Sequence, residues 1–191
     1  MRINGGRHRG RKLAAPEGRD TRPTSDRTRE AVFNVLLHGI EGLDLEGAAV
    51  ADLFAGTGAL GLEALSRGAV RAVFVDASQP ALLAARRNAA ALGEVKNIVT
   101  LRLDCTRLPP PPGAAGAPLD LAFLDPPYES GLAHPALQGL AAKGWLKDGA
   151  ICVVEVAARE PFAPPKGFDA LQERVYGRAR VIFLRFIPTG Q

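Results

Sequence analysis

Four short apolar runs in this chain each end at or beside an aspartate. They are AVADLF (49–54) with Asp52, AVFVD (72–76) with Asp76, IVTLRLD (98–104) with Asp104 and LDLAFLD (119–125) with Asp125. Helix-like segments lie among them: GTGALGLEALSRG closes at Gly68, and residues 78–92 are rich in Ala and Leu. HPALQGLAAKGW (134–145) and ICVVEV (151–156) continue the alternation as a helix and a strand. Strands alternating with helices predict βαβ units, and so a parallel sheet with helices on both faces. LQERVYG and ARVIFLRF close the chain as an antiparallel edge hairpin pivoting at Gly177. Ahead of the sheet, TRPTSDRTREAVFNVLLHGI predicts one helix. Thr24 or Ser25 caps it, Asp26 lies in its first turn, and Val32, Val35, Leu36 and Ile40 recur at helical spacing. RINGG, near the start, reads as a short edge strand, and LPPPPGAAGAP (108–118) as an exposed loop.

Ligands of open parallel sheets bind outside the carboxyl ends of the strands. Asp52, Asp76, Asp104 and Asp125 are therefore expected around one cleft, the alternative being four structural helix caps. Gly56-x-Gly58-x-x-Gly61 matches a dinucleotide fingerprint, in which glycines let the backbone turn tightly and approach a ligand closely. Asp76 follows Gly56 by 20 residues, where a carboxylate would hold two ribose hydroxyls. That much suits NAD or S-adenosyl-L-methionine equally. Two features favour the second. Asp52, just before the glycines, would repel a pyrophosphate but suits an ammonium. The fourth strand then runs into Asp125-Pro126-Pro127-Tyr128. Two prolines can continue neither strand nor helix, so they stiffen a loop carrying one carboxylate, one carbonyl and one ring. A strand-ending turn with a capping Asp is the plainer reading of the same residues.

Charge is uneven along the chain. Residues 1–30 hold nine Lys/Arg and four Asp/Glu, a net +5, against −1 for the remainder. A basic end on a near-neutral body points to a polyanion, nucleic acid above all. Cys105 and Cys152 form no C-x-x-C pair and read as packing residues, and the three histidines offer no metal-ligand spacing. No apolar run approaches the roughly 20 residues that span a bilayer. MRINGGRHRGRKL lacks the apolar core of a signal peptide, so a cytoplasmic location is expected.

D-L-F-A-G-T-G-A-L-G-L-E-A-L-S-R-G resembles motif I of class I methyltransferases, and D-P-P-Y their motif IV, in the form typical of enzymes that methylate exocyclic or amide nitrogen. R-I-N-G-G-R-H-R-G-R-K-L and R-P-T-S-D-R-T-R-E-A-V-F-N resemble the RsmD family within that class. The resemblance covers residues 1 to about 156, and is weak in the 105–118 loop and the final hairpin. It implies a Rossmann-like fold: a mostly parallel seven-stranded sheet, an antiparallel C-terminal hairpin and helices on both faces. It divides the chain into a basic N-terminal arm (1–22) and a methyltransferase domain (23–191). It implies methylation of guanine N2, at a guanine 966 type site, in 16S rRNA of the small ribosomal subunit or an assembly intermediate, by a monomer. The implied cofactor site comprises Asp52, Phe54, Ala55, Gly56, Gly58, Asp76, Ala77, Asp104, Cys105 and Asp125, with Thr24 and Arg27 reaching the methionine carboxylate. Asp76 holds the ribose, and Asp104 with the Cys105 backbone holds the adenine. Asp125, Pro126, Pro127 and Tyr128 form the catalytic loop. Arg2, Arg7, His8, Arg9, Arg11, Lys12 and Arg22 are the expected RNA contacts; no metal is implied. The competing readings are a DNA adenine-N6 or cytosine-N4 methyltransferase, a protein-glutamine methyltransferase, an NAD oxidoreductase and a non-catalytic RNA-binding assembly factor.

Overall fold

The computed structural model describes residues 1–14 and 25–188. Its strands are β1 (Ala49–Leu53), β2 (Arg71–Asp76), β3 (Ile98–Arg102), β4 (Leu119–Leu124), β5 (Leu146–Ala157), β6 (Phe168–Tyr176) and β7 (Ala179–Phe186). They form one seven-stranded sheet in the order β3-β2-β1-β4-β5-β7-β6. The first five run parallel, and β7 lies antiparallel between β5 and β6. This is the class I methyltransferase arrangement that the motifs imply.

Helices α1 (Asp26–His38), α2 (Ala59–Ser66) and α3 (Gln79–Leu92) cover one face. There Phe33, Leu36, Leu62, Leu65, Leu82 and Ala85 pack on Phe74, Leu121, Phe123 and Val153. Helix α4 (Ala133–Ala142) covers the other, with Leu137, Leu140 and Trp145 against Leu53, Val75, Leu124 and Val154. Strand alternation explains the division: successive side chains of one strand feed opposite cores. Ser25 is the residue that caps α1, its side chain accepting from the Thr28 N–H at 3.0 Å.

Three elements differ from the reading by pattern. The helix expected over 134–145 stops at Ala142, because Gly144 takes a left-handed φ of 77° and turns the chain. Trp145 is then buried outside the helix and donates to the Pro109 carbonyl at 2.8 Å. β5 starts at Leu146, earlier than expected, because Leu146 pairs with Leu119 before a register shift. RINGG makes no strand, only a single antiparallel bridge between Arg2 and Lys12.

That bridge closes residues 1–14 into a loop, with Ile3 and Leu13 buried in the core beside α1. The loop is fastened to α2. Glu63 is fully buried and accepts from the N–H groups of Asn4 (2.8 Å) and Gly5 (2.9 Å), and from Arg67 at 2.7 Å. Buried Arg29 reaches Glu63 at 3.4 Å, Asp26 at 2.8 Å and the Arg2 carbonyl. Two cations and two N–H groups thus satisfy one buried carboxylate, as burial of a charge requires.

Candidate active site

The strand register builds the site. Leu53 pairs with Val75 and Leu124, Leu124 with Val154, and Asp76 with Arg102. One residue further on, Phe54, Asp76, Asp125 and Glu155 stand in a row along the carboxyl edge of the sheet. Strand order reverses between β1 and β4, and such a switch point leaves a crevice between the loops that follow the two strands. Here those loops are Phe54–Gly58 and Asp125–Gly131.

The first loop takes three left-handed residues, Phe54 (φ 58°), Gly56 (φ 54°) and Gly58 (φ 76°). The strain of a left-handed Phe is of the kind that collects at functional sites. The glycines divide their work. A Cβ on Gly61 would meet the Phe74 ring at 2.5 Å, and one on Gly58 would meet Ala85 and Phe74 at 3.0 and 3.1 Å. Those two serve packing of α2 against β2. A Cβ on Gly56 would have only the Phe54 carbonyl at 3.9 Å, so this glycine leaves room in the cleft.

Asp52 is buried and accepts the Gly61 N–H at 2.9 Å, tying β1 to the first turn of α2. Burial pushes its carboxyl well above the usual carboxylate range; the Gly61 bond opposes this, and the charges of Asp125 and Asp76 add to it. Asp76 is half-buried and accepts from Gly56 N–H (3.0 Å) and Ser78 N–H (2.8 Å), so it spans the strand end and the glycine loop. Asp104 is exposed just beyond β3. Hydrogen bonds from the Thr106 hydroxyl (2.7 Å) and N–H (2.9 Å) hold its carboxyl below the usual range, helped by Arg107. The Cys105 thiol contacts the Val75 carbonyl at 3.6 Å, and burial pushes it up to about 12. The strand register sets Asp76 and Asp125 at the carboxyl edge of the sheet, with Asp52 inside the end of β1 and Asp104 just beyond β3. Both cysteines are buried and free, as expected of packing residues. Ala55 N–H donates to the Val75 carbonyl at 3.2 Å, and Ala77 is exposed beside Asp76.

In the second loop Asp125 is half-buried, Pro126 buried and Pro127 exposed. Ser130 Oγ donates to the Pro127 carbonyl at 2.5 Å. The Tyr128 hydroxyl donates to Glu155 Oε1 at 2.7 Å. Among the described residues no cluster of His, Cys, Asp and Glu is arranged to hold a metal, and no helix is long and apolar enough to cross a membrane.

The family model of "Conserved hypothetical protein 95" matches residues 1–185. The Ribosomal RNA small subunit methyltransferase D of Escherichia coli (strain K12) is 35% identical over 184 residues, spanning 93% of this chain and 86% of that one. The chain belongs to the RsmD family. The enzyme of the same name from Haemophilus influenzae is 33% identical over 183 residues, covering 93% of this chain and 89% of its own. A solved structure of the Escherichia coli protein yhhF superposes with a TM-score of 0.81 at 31% identity, covering 99% of each chain.

Of the residues implied for the methionine carboxylate and for the RNA, Thr24 and Arg22 lie outside the described residues. Arg27 is exposed in the first turn of α1. Arg7 and His8 both contact buried Glu94, at 2.6 and 2.5 Å, and so fasten the N-terminal loop to the end of α3. Burial raises the Glu94 carboxyl, but bonds from Asn97, His8 and Arg7 outweigh this and leave it low. Arg11 donates to the Ala91 carbonyl at 2.7 Å, and Arg2 lies 3.7 Å from Asp26. Arg9 and Lys12 are exposed, with no ion pair among the described residues.

Four contributors escaped the reading by pattern. Arg29 lies four residues before Phe33 and seven before Leu36, on the apolar stripe of α1, where a cation signals a buried partner. Glu63 is its counterpart on α2. Asn88 is buried in α3. Its amide donates to the carbonyls of Thr57 and Ala14 (both 3.0 Å) and accepts Ala14 N–H at 2.8 Å, coupling the glycine loop to the N-terminal loop. Glu155 interrupts the apolar run ICVVEV, the one visible signal that β5 carries an acid two residues before its carboxyl end at Ala157.

Proposed function

We propose that this RsmD-family chain is an S-adenosylmethionine-dependent methyltransferase acting on the exocyclic N2 of a guanine in small-subunit ribosomal RNA, at the guanine 966 type site. The observation that carries the reading is the placement of Asp125-Pro-Pro-Tyr128 across the switch point from the Phe54–Gly58 loop. The relatives named for small-subunit ribosomal RNA support the substrate class.

The donor set fits the cofactor. The cleft offers the carboxylates of Asp76, Asp104 and Asp125, which suit an ammonium and ribose hydroxyls and would repel a pyrophosphate; Asp52, expected to face the ammonium, is instead buried on the Gly61 N–H with its carboxyl pushed up by burial. Room at Gly56 lets the backbone lie against a ligand. Asp76 would hold the ribose, Asp104 and the Cys105 backbone the adenine, and Ala55–Gly58 the methionine part, with Asp52 fixing that loop from below. Arg27 and Thr24 are the candidates for its carboxylate. When bound, the cofactor supplies a methyl group on a sulfonium, so no metal or covalent enzyme intermediate is needed.

The chain supplies position and charge. The amine of guanine is a poor nucleophile because its lone pair is delocalised into the ring. The Asp125 carboxylate and the Pro126 carbonyl accept its two hydrogens, favouring a pyramidal nitrogen. On accepting the methyl group the nitrogen would gain positive charge, which Asp125 would stabilise. The proton would then leave to water, giving a neutral N2-methylguanine. Tyr128 stacks on the base, worth about 1–3 kcal/mol. The base must be unpaired or flipped out to enter. Exposed Arg9 and Lys12, flanked by Arg2 and Arg11, grip phosphates, while Arg7 and His8 hold the loop that presents them.

The test is incubation with radiolabelled S-adenosylmethionine and small subunits from cells lacking the enzyme, then nucleoside analysis. The expected product is N2-methylguanosine at one position. Label on another nucleoside, or none on subunits or their free RNA, would remove this assignment.

A further inference from the structure

The mechanism above leaves one buried carboxylate at the cleft unused. Glu155 lies on β5 beside Asp125 in the register and is only 8% exposed. A charged side chain there requires compensating bonds. The Tyr128 hydroxyl gives it one, at 2.7 Å. The same strand end holds the loop by its backbone as well. Glu160 accepts the Glu129 N–H at 2.9 Å and the Ala157 N–H at 3.2 Å, and Glu129 sits in the left-handed region at φ 55°. The catalytic loop is thus held at the Tyr128 hydroxyl and at the N–H of the next residue.

A tyrosine ring has two torsions, and the prolines before it restrain only the backbone. Tethering the hydroxyl sets the tilt of the ring. The ring plane in turn sets the plane of a base stacked on it, and in-line transfer is sensitive to such alignment. We propose that Glu155 is a positioning residue, whose carboxylate fixes the plane of Tyr128 and so aligns the target guanine's amine with Asp125. This rests on the guanine-methylating reading given above.

The effect belongs in kcat. RNA affinity is dominated by phosphate contacts, which Glu155 does not touch. Glu155→Leu is expected to lower kcat about ten- to hundredfold, the loss of one charge-assisted hydrogen bond, with KM for the RNA within about threefold. Glu155→Gln, which keeps an acceptor, recovers most of kcat. Tyr128→Phe, which keeps the stacking ring, loses as much as Glu155→Leu, and the double variant loses no more than either. Thermal melts with S-adenosylmethionine report folding and cofactor binding independently of turnover. If Glu155→Leu does not fold, Tyr128→Phe decides: wild-type kcat in that variant overturns the proposal. Wild-type kcat in Glu155→Leu, equal impairment of the Gln and Leu variants, or additive losses in the double variant also overturn it while methylation by the wild type stands. If the wild type itself methylates no guanine N2, the reading of function falls first and this proposal with it.

Discussion

Asp52 shows how one residue can serve the site without touching chemistry. Its carboxyl accepts the Gly61 N–H from a buried position. Because the native carboxyl titrates well above its ordinary 3.8, the folded state holds a proton that the unfolded chain releases. Stability from this group is therefore complete below the unfolded value and is lost as pH rises through the native one. Asp52→Asn keeps an acceptor for Gly61 and removes the charge. Melting temperatures of the two proteins should coincide near pH 3.5 and diverge in favour of the variant towards pH 8. Equal melting curves at pH 8 would contradict the burial argument. Asp52, Asp76, Asp104 and Asp125 were legible in the sequence because each lies at or beside the end of an apolar run. Glu155 was not, because an acid within ICVVEV has no local partner; its partner Tyr128 lies 27 residues back.

At the scale of elements, the N-terminal loop is held by contacts made far along the chain. Asn4 and Gly5 reach Glu63 across 59 and 58 residues, and no periodicity announces such a fit. The βαβ alternation was readable because it repeats a local pattern; loop docking depends on a single complementary surface. Gly6 marks that surface. It has φ 73°, and a Cβ there would fall 1.8 Å from the Ser66 carbonyl. Gly6→Ala should release the loop, raising amide exchange of residues 3–13 at least about tenfold, the effect of ~1.4 kcal/mol of local destabilisation. Unchanged exchange would mean the loop is not packed as described. Arg29→Ala breaks the buried network beneath it. The expected cost is about 3–5 kcal/mol by chemical denaturation, because Glu63 loses a cation it cannot replace with water. A cost below about 1 kcal/mol would show the pair to be dispensable.

At the scale of the molecule, the first 30 residues of the sequence carry the positive excess, while carboxylates gather at the carboxyl edge of the sheet. The division suits the proposed tasks, phosphate grip by the one and a cationic methyl donor held by the other. Internal pairing divides the loop's exposed cations: Arg7 is held by Glu94, whereas Arg9 and Lys12 make no ion pair among the described residues. Arg9→Ala with Lys12→Ala should weaken binding to small-subunit RNA uniformly across sequences. It should also reduce the slope of log K against log salt by about one for each residue. Arg7→Ala should instead loosen the loop with a smaller change in slope. Composition revealed that a basic end exists; which cations stay available depends on Glu94, whose side chain reaches them only after folding.

The central claim is that Asp125, across the switch point from the Phe54–Gly58 loop, activates the guanine amine. Its most direct test is single-turnover methylation of small-subunit RNA by Asp125→Ala, beside calorimetric titration of the cofactor. The predicted result is a rate at least about a hundredfold lower, with cofactor affinity kept within about tenfold. A variant that methylates at the wild-type rate would contradict the account.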